Sequence, residues 1–166
     1  MKKIIFIVIC LVIGILVYKK SEQIIIPSDA IRIRIIANSN NIEDLYQKKK
    51  IKDSIKDDIY NLVKDSSNSM EASINIKNNI SKIDSLIKNK TSNYKITYGK
   101  NYFPEKIYKG VVYPSGEYDS LVITLGSGLG DNWWCVLYPP LCLIDDNAST
   151  SDVEYQFLVG KILGLQ

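Results

Sequence analysis

Residues 126–142 read GSGLGDNWWCVLYPPLC and form the most distinctive stretch of this chain. The composition of residues 133–138 predicts a β-strand. The alternating glycines before it predict a hairpin with backbone in the positive-φ region. A phosphate-binding loop is disfavoured, because the glycine spacing fits neither nucleotide-binding motif and a strand, rather than a helix, follows.

The two adjacent tryptophans of this stretch predict a strand that carries a large aromatic side chain on each of its two faces. Successive side chains of a strand point to opposite faces, so Trp133 and Trp134 do not fill the same core layer. One is expected to pack beneath helices. The other, beside Tyr138, is either an anchor for a partner protein or is covered by the C-terminal segment or the region of Tyr113. Both alternatives stay open on the sequence alone.

Cys135 and Cys142 predict a disulfide, provided that this part of the chain lies outside the cytoplasm. Two reduced, buried thiols are the alternative. A zinc site is disfavoured because the chain contains no histidine to complete a ligand set. We therefore expect neither a bound metal nor a cofactor.

Residues 31–35, IRIRI, alternate apolar and basic side chains and predict a half-buried strand. Arg32 and Arg34 lie on the same face of that strand. They are expected either to pair with acidic residues on neighbouring strands or to present guanidinium groups to the carboxylate of a partner. In the second case they belong to the same contact site as the tryptophans.

Two amphipathic helices are predicted between this strand and the later ones. The first begins after an Asn41 cap, with Glu43 and Asp44 in its first turn. The second begins near Ser69 and ends near residues 89–93. Their apolar stripes have helical period and consist of Ile42, Leu45, Ile51, Ile55, Ile59, Leu62 and Val63 in the first, and Ile76, Ile80, Ile83 and Ile87 in the second.

The later part of the chain is predicted to be mostly strands. Strands are expected at residues 94–98, 111–113, 121–125 and 133–138, with a fifth at 153–159. Short turns join them, so the sheet should be mostly antiparallel. The whole is predicted to be an α+β, two-layer domain over residues 31–166, with two helices on one face of the sheet.

The N-terminus predicts an export signal or membrane anchor over residues 1–20. Two lysines precede an apolar run at residues 4–18, which would span roughly 22 Å as a helix. No small-residue cleavage site follows, so an uncleaved anchor is favoured over clean release. Residues 21–30 are expected to be a tether.

Composition excludes several functions. The absence of histidine removes Ser-His-Asp and Cys-His catalysis. The net charge of +3 is small and spread out, which argues against nucleic-acid binding. Glu117, Asp119 and Asp131 are the remaining candidates for an acid–base site, which needs two carboxyl groups within about 5–10 Å. We expect no catalytic residues, with an extracytoplasmic enzyme acting on the cell wall as the alternative.

Several blocks of the sequence together resemble the stage II sporulation protein R family. They are IRIRIIANS (31–39) followed by Glu43-Asp44, YFP (102–104), VYPSGEY (112–118) and GDNWWCVLYPPLC (130–142). The resemblance covers about residues 31–145. The helical region matches only in pattern, and Ile42 stands where the family would have a proline.

The resemblance implies a signalling role rather than catalysis. Members of this family are exported from the forespore into the space between the two sporulation membranes. There they activate a membrane-embedded aspartic protease of the mother cell, which removes the pro-sequence of the sigma-E precursor. A passive structural module of the intermembrane space is a third interpretation. The expected partner-contact residues are our own choice from the patterns above: Trp133, Trp134, Tyr138, Arg32 and Arg34.

Overall fold

A computed structural model describes residues 23–142 and 151–165 of the chain. Within these residues, seven strands and four helices follow one another in the order β1 (Ile24–Ile25), β2 (Ile31–Ile36), α1 (Ile42–Val63), α2 (Ser69–Asn78), α3 (Ile80–Lys88), β3 (Tyr94–Phe103), β4 (Lys106–Tyr108), β5 (Val111–Tyr113), β6 (Gly116–Leu125), β7 (Asn132–Tyr138) and α4 (Asp152–Ile162). This is an α+β fold, as predicted.

The central element is a four-stranded sheet in the order β3-β6-β2-β7. β6 runs antiparallel to β3, and β7 runs antiparallel to β2, but β2 and β6 are parallel. The parallel pair is possible because three helices and three strands separate β2 from β6 along the chain, so no tight turn has to join them.

The predicted glycine hairpin is wrong. β2 lies between β6 and β7, so the loop joining them crosses the end of β2 instead of making a tight turn. The predicted positive φ is confirmed at Gly126 (52°) and Gly128 (67°). The loop is attached to the segment after β2, where Gly130 N donates to Ala37 O at 3.0 Å.

Three helices cover one face of this sheet. α1 begins at the predicted cap, where Asn41 Oδ1 accepts a hydrogen bond from Asp44 N at 2.8 Å. The second predicted helix is instead two, α2 and α3, separated at Asn79. Most of the predicted apolar stripe is buried, but Ile42, the first residue of α1, is 86% exposed.

The core beneath the helices consists almost entirely of aliphatic side chains. Ile33 and Ile35 of β2 and Leu121, Ile123 and Leu125 of β6 point toward the helices. Buried residues of the helices meet them, namely Ile51, Ile55, Ile59, Val63, Ala72, Ile76, Ile83 and Ile87. Burial of this surface is the main source of stability on this side of the sheet.

The opposite face carries a second covering layer that the two-layer prediction lacked. A three-stranded sheet in the order β1-β5-β4 packs there together with α4. β1 lies in the segment predicted to be a tether, and Ile26 and Ala30 after it are buried. The predicted strand at residues 153–159 is wrong: these residues belong to α4, which Ser151 caps by accepting a hydrogen bond from Glu154 N.

No helix within residues 23–142 and 151–165 is long and apolar enough to cross a membrane. The predicted export or anchor segment, residues 1–20, lies outside the described residues.

Candidate protein-interaction site

Arg32 is buried at the centre of the layer opposite the helices. Its side chain is 0% exposed, and its guanidinium carbon lies 3.7 Å from the ring centroid of Tyr118, 5.0 Å from that of Phe103 and 5.3 Å from that of Trp134. Nη2 donates to Pro114 O at 3.1 Å. Arg32 thus joins three aromatic rings and a backbone carbonyl that are far apart in the sequence.

Arg34 continues this arrangement toward the surface. Its guanidinium carbon lies 4.2 Å from the Phe103 ring centroid, and Nη2 donates to Tyr102 O at 2.7 Å. Neither arginine pairs with a carboxylate in the part of the chain that the structure describes. The expected pairing with acidic residues on neighbouring strands is therefore wrong, because aromatic faces and backbone carbonyls occupy the positions where carboxylates were expected.

Burial makes the charged form of both arginines less favourable than in water. Desolvation by burial lowers the pKa of Arg32, and the neighbouring Tyr118 opposes that change. Burial also lowers the pKa of Arg34. Arg32 Nε, Arg32 Nη1 and Arg34 Nε lack hydrogen-bond partners among the described residues. Cation–π contact of about 0.5–2 kcal/mol per ring offsets part of the cost of burying these groups.

The two tryptophans lie on opposite faces of β7, as strand alternation predicts. Trp133 and Tyr138 contact the aliphatic core on the helix side. Trp134 contacts the aromatic layer, where its ring meets Tyr113 and Phe103 edge-on at 5.5 and 6.1 Å between centroids. Of the two alternatives for the far-face tryptophan, the structure therefore shows cover by the Tyr113 region.

The five expected contact residues do not form one continuous patch. Trp134, Arg32 and Arg34 belong to the aromatic side of the sheet, whereas Trp133 and Tyr138 belong to the helix side. Both tryptophans are only partly buried. Both border one cleft at the outer edge of β7.

Cys135 and Cys142 form a disulfide, with 5.5 Å between their Cα atoms. The bridge turns the chain back after β7, across a bend that contains the cis Tyr138–Pro139 peptide bond. Leu141 N then donates to Val136 O at 3.2 Å. The pairing fixes the end of β7 relative to the core beneath the helices.

The glycine loop is a structural connection. Ser127 N and Oγ both donate to Asn38 Oδ1, at 2.8 and 3.1 Å. Asp131 N donates to Asn40 Oδ1 at 2.6 Å. A Cβ atom at Gly130 would lie 2.3 Å from Ser39 O, so only glycine fits there. The loop holds β7 in register beside β2 and leaves no open cradle of N–H groups for a phosphate.

The three candidate carboxylates do not form one site: Glu117 and Asp119 lie two residues apart on the same face of β6, whereas Asp131 is remote from both. Asp119 lies near the start of β6 and pairs with Lys100 at 3.2 Å. Asp131 lies beyond the far end of β6, which at about 3.3 Å per residue places it well over 10 Å away. Within residues 23–142 and 151–165, no group of three or more metal-binding side chains is close enough to hold an ion.

Sequence reasoning missed several members of the aromatic layer. Phe103, Tyr113, Tyr118 and Tyr155 were not assigned to any site. Phe103, Tyr113 and Tyr118 contact Arg32 or Trp134, and the Tyr155 hydroxyl is hydrogen-bonded to that of Tyr113. A signal was present in YFP and VYPSGEY, the blocks that contain the first three. What the sequence did not show is that these blocks meet.

Comparison with known proteins identifies the same family that the sequence blocks resemble. The family described as Stage II sporulation protein R matches residues 27–148. This chain belongs to that family. Stage II sporulation protein R of Bacillus subtilis (strain 168) is 39% identical over 132 residues, which cover 76% of this chain and 59% of that protein. The chain thus matches somewhat over half the length of this relative. No solved structure matches the chain.

Proposed function

We propose that this protein is an exported sporulation signal that activates a membrane-embedded aspartic protease of the mother cell. Activation leads to processing of the sigma-E precursor. The observation that carries the proposal is membership of the stage II sporulation protein R family over residues 27–148. The proposed location is the space between forespore and mother cell, with the N-terminal apolar segment as signal or anchor.

The described structure is compatible with a binding protein rather than an enzyme. Its most unusual interior feature, the arginine–aromatic layer, is occupied by side chains and holds the fold together. Of the candidate carboxylates, Asp119 is ion-paired with Lys100 on the surface, and Asp131 is remote from the other two. On this proposal the protein acts by contact, and the exposed parts of the β7 edge supply that contact.

Deletion of the gene tests the function itself. We expect sigma-E precursor to accumulate unprocessed in sporulating cells, because no signal would activate the protease. Immunoblotting of the precursor measures this, and complementation with the wild-type gene restores processing. Normal processing in the deletion strain would refute the signalling role and favour a passive structural module.

Trp133→Ala in the complementing gene tests an expected contact residue that the structure leaves partly exposed. Trp133 sits at the margin of the aliphatic core, with its ring centroid 5.5 Å from Lys52 Nζ, so its loss should remove contact area while the sheet persists. We expect processing to fall severalfold. Tyr46→Ala is a matched control, since Tyr46 is a 58% exposed aromatic on α1. Circular dichroism of both purified variants verifies folding.

A further inference from the structure

β7 leaves one edge of the four-stranded sheet open. β7 is the last strand in the order β3-β6-β2-β7, so the described residues place β2 on one side of it and no strand on the other. Open edges present unpaired N–H and C=O groups to which another extended chain can add. Which residues of β7 carry unpaired groups depends on which of its N–H and C=O groups point away from β2.

Two hydrogen bonds show which backbone groups of β7 point toward β2 and which point outward. Ala37 N donates to Asp131 O at 3.3 Å, so Asp131 and every second residue after it face β2. Leu141 N donates to Val136 O at 3.2 Å from the other side. Asn132 and Trp134 therefore direct their N–H and C=O groups outward, and among the described residues these groups have no backbone partner.

A cleft of about 250 Å³ adjoins this edge on the aromatic side. Tyr108, Tyr113 and Trp134 form its walls, together with Lys106, Asn132 and Trp133. Lys106 Nζ lies 5.0 Å from the Trp134 ring centroid and 5.3 Å from that of Tyr108. Lys106 is the only charged residue among those that line the cleft, and no described carboxylate forms an ion pair with it.

The other side of the same edge is mainly apolar. Trp133, Leu137 and Pro140 line a narrow crevice beneath α1, and the lysines Lys52 and Lys56 of α1 border it. Side chains of an added strand alternate between the two faces of the sheet. One set would therefore meet this mainly apolar crevice, and the other would meet the cleft that contains Lys106.

We propose that the open edge at Asn132 and Trp134 binds an extended segment of a partner protein by strand addition. The segment has apolar side chains at alternate positions and acidic side chains between them. The backbone groups supply affinity, and Lys106 selects the acidic side chains by charge complementarity. The inference rests on the proposed function only for the identity of the partner, not for the chemistry of the segment.

Binding of designed peptides to the full-length protein in detergent tests this chemistry. The probes are three dye-labelled heptapeptides. The first alternates Val and Glu, the second alternates Val and Lys, and the third has the composition of the first with its Val and Glu residues grouped in separate blocks. We expect the alternating Val-Glu peptide to bind about tenfold more tightly than the other two by fluorescence anisotropy. Equal binding of all three, or binding of none, would overturn the proposal.

Two variants locate the binding site. Asn132→Pro removes an outward N–H group without touching the bonds to β2, and should weaken Val-Glu binding about tenfold. Lys106→Glu should reverse the preference toward the Val-Lys peptide. Lys100→Pro is the matched control, since it places proline on β3, the other open edge of the sheet. Gly126 N donates to Asn93 O, so Asn93 and every second residue after it face β6, and the N–H group of Lys100 points outward. Unchanged binding to Asn132→Pro would contradict strand addition at β7.

Hydrogen exchange distinguishes a partner segment from occupation by the protein itself. The amides of Asn132 and Trp134 should exchange rapidly in the free protein and become protected with the Val-Glu peptide. Strong protection in the free protein, from residues 143–150 or from a second copy, would overturn the proposal. In sporulating cells, Asn132→Pro should reduce precursor processing. If the Asn132→Pro strain processes the precursor normally and the deletion strain does not, the open edge at Asn132 and Trp134 is not the contact site. The proposed function would then still stand.

Discussion

The two faces of the central sheet are built from different chemistry. The helix side is an aliphatic core of isoleucines, leucines and valines. The opposite side is an aromatic layer arranged around the buried Arg32. Aliphatic burial is non-directional and tolerates many arrangements of similar volume. The aromatic layer instead depends on ring orientation, hydrogen bonds and a desolvated charge, so it specifies which segments meet.

The difference explains where the distinctive sequence blocks lie. Phe103 comes from the block YFP, Tyr118 from VYPSGEY, and Trp134 from residues 130–142, and all three rings contact Arg32. The resemblance seen in the sequence rests on these blocks, and the helices that cover the other face resemble the family only in pattern. A face held by directional contacts needs particular residues, whereas a face held by aliphatic burial needs only the right periodicity.

Replacing Arg32 should break the aromatic face and have the largest effect. Arg32→Ala leaves a cavity at the centre of the layer and removes the bond to Pro114 O, and we expect the free energy of unfolding to fall by about 3–5 kcal/mol, as for other large buried side chains cut back to alanine. Urea denaturation measures this. Arg32→Met should lose less, because its side chain fills the space without a buried charge. A loss below about 1 kcal/mol for Arg32→Ala would mean that the arginine is not central to this layer.

Removing the disulfide should have the next largest effect. Cys135→Ala combined with Cys142→Ala frees the end of β7 and should lower the free energy of unfolding by about 2–2.5 kcal/mol on the loop-entropy account. Denaturation of the wild type with and without a reductant gives an independent value. Equal midpoints for oxidised and reduced wild type would show that the bond is absent in solution or contributes no stability.

A conservative change on the helix side should have a smaller effect than Arg32→Ala. Ile35 is fully buried beneath the helices. Ile35→Val removes one methylene and should cost about 0.5–1.5 kcal/mol. Thermal and urea unfolding measure it. A cost equal to that of Arg32→Ala would contradict the contrast between a tolerant face and a specific one.

The smallest effect is expected at Asp44, outside both faces. Hydrogen bonds from Ser39 and Asn38 lower the pKa of the Asp44 carboxyl in the folded protein. A lowered folded-state pKa means that this contribution is present above the unfolded pKa and is lost as the pH falls through the folded pKa. Asp44→Asn should therefore be less stable than wild type at pH 7.

The stability difference between wild type and Asp44→Asn should shrink below the ordinary aspartate pKa of about 3.9. Urea denaturation across the acidic range measures this change. Glu43→Gln is the control, since it removes an exposed charge from the same helical turn. A difference that stays constant down to acidic pH would show that the Asp44 charge is not its source.

Local patterns predicted most of the secondary structure. The Asn41 cap, the buried positions of α1 and the strand over residues 133–138 follow from side-chain periodicity and capping chemistry, which act within a few residues. The strand predicted at residues 153–159 failed because apolar residues there suit a strand as well as a helix. Burial of Tyr155 and Val159 against the aromatic layer decided for the helix.

The candidate site was predicted only in part. Alternation correctly put Trp133 and Trp134 on opposite faces, because the direction of a strand side chain is a local property. Lys106 and the open edge of β7 were not predicted, since both depend on which strands become neighbours. The same limitation produced the wrong hairpin at residues 126–130, where glycine conformation was predicted correctly and strand order was not.

The sequence by itself determined the α+β class, the helix-side stripe, the cap at Asn41, the alternation of the two tryptophans and the family. These follow from short-range periodicity, backbone conformation and distinctive residue blocks. Only the tertiary structure decided that β2 lies between β6 and β7, that Arg32 gathers aromatic rings rather than carboxylates, and that the outer edge of β7 is open. Those outcomes depend on pairings between segments far apart in the chain, where the free energy of the assembled core, rather than any local preference, selects the neighbours.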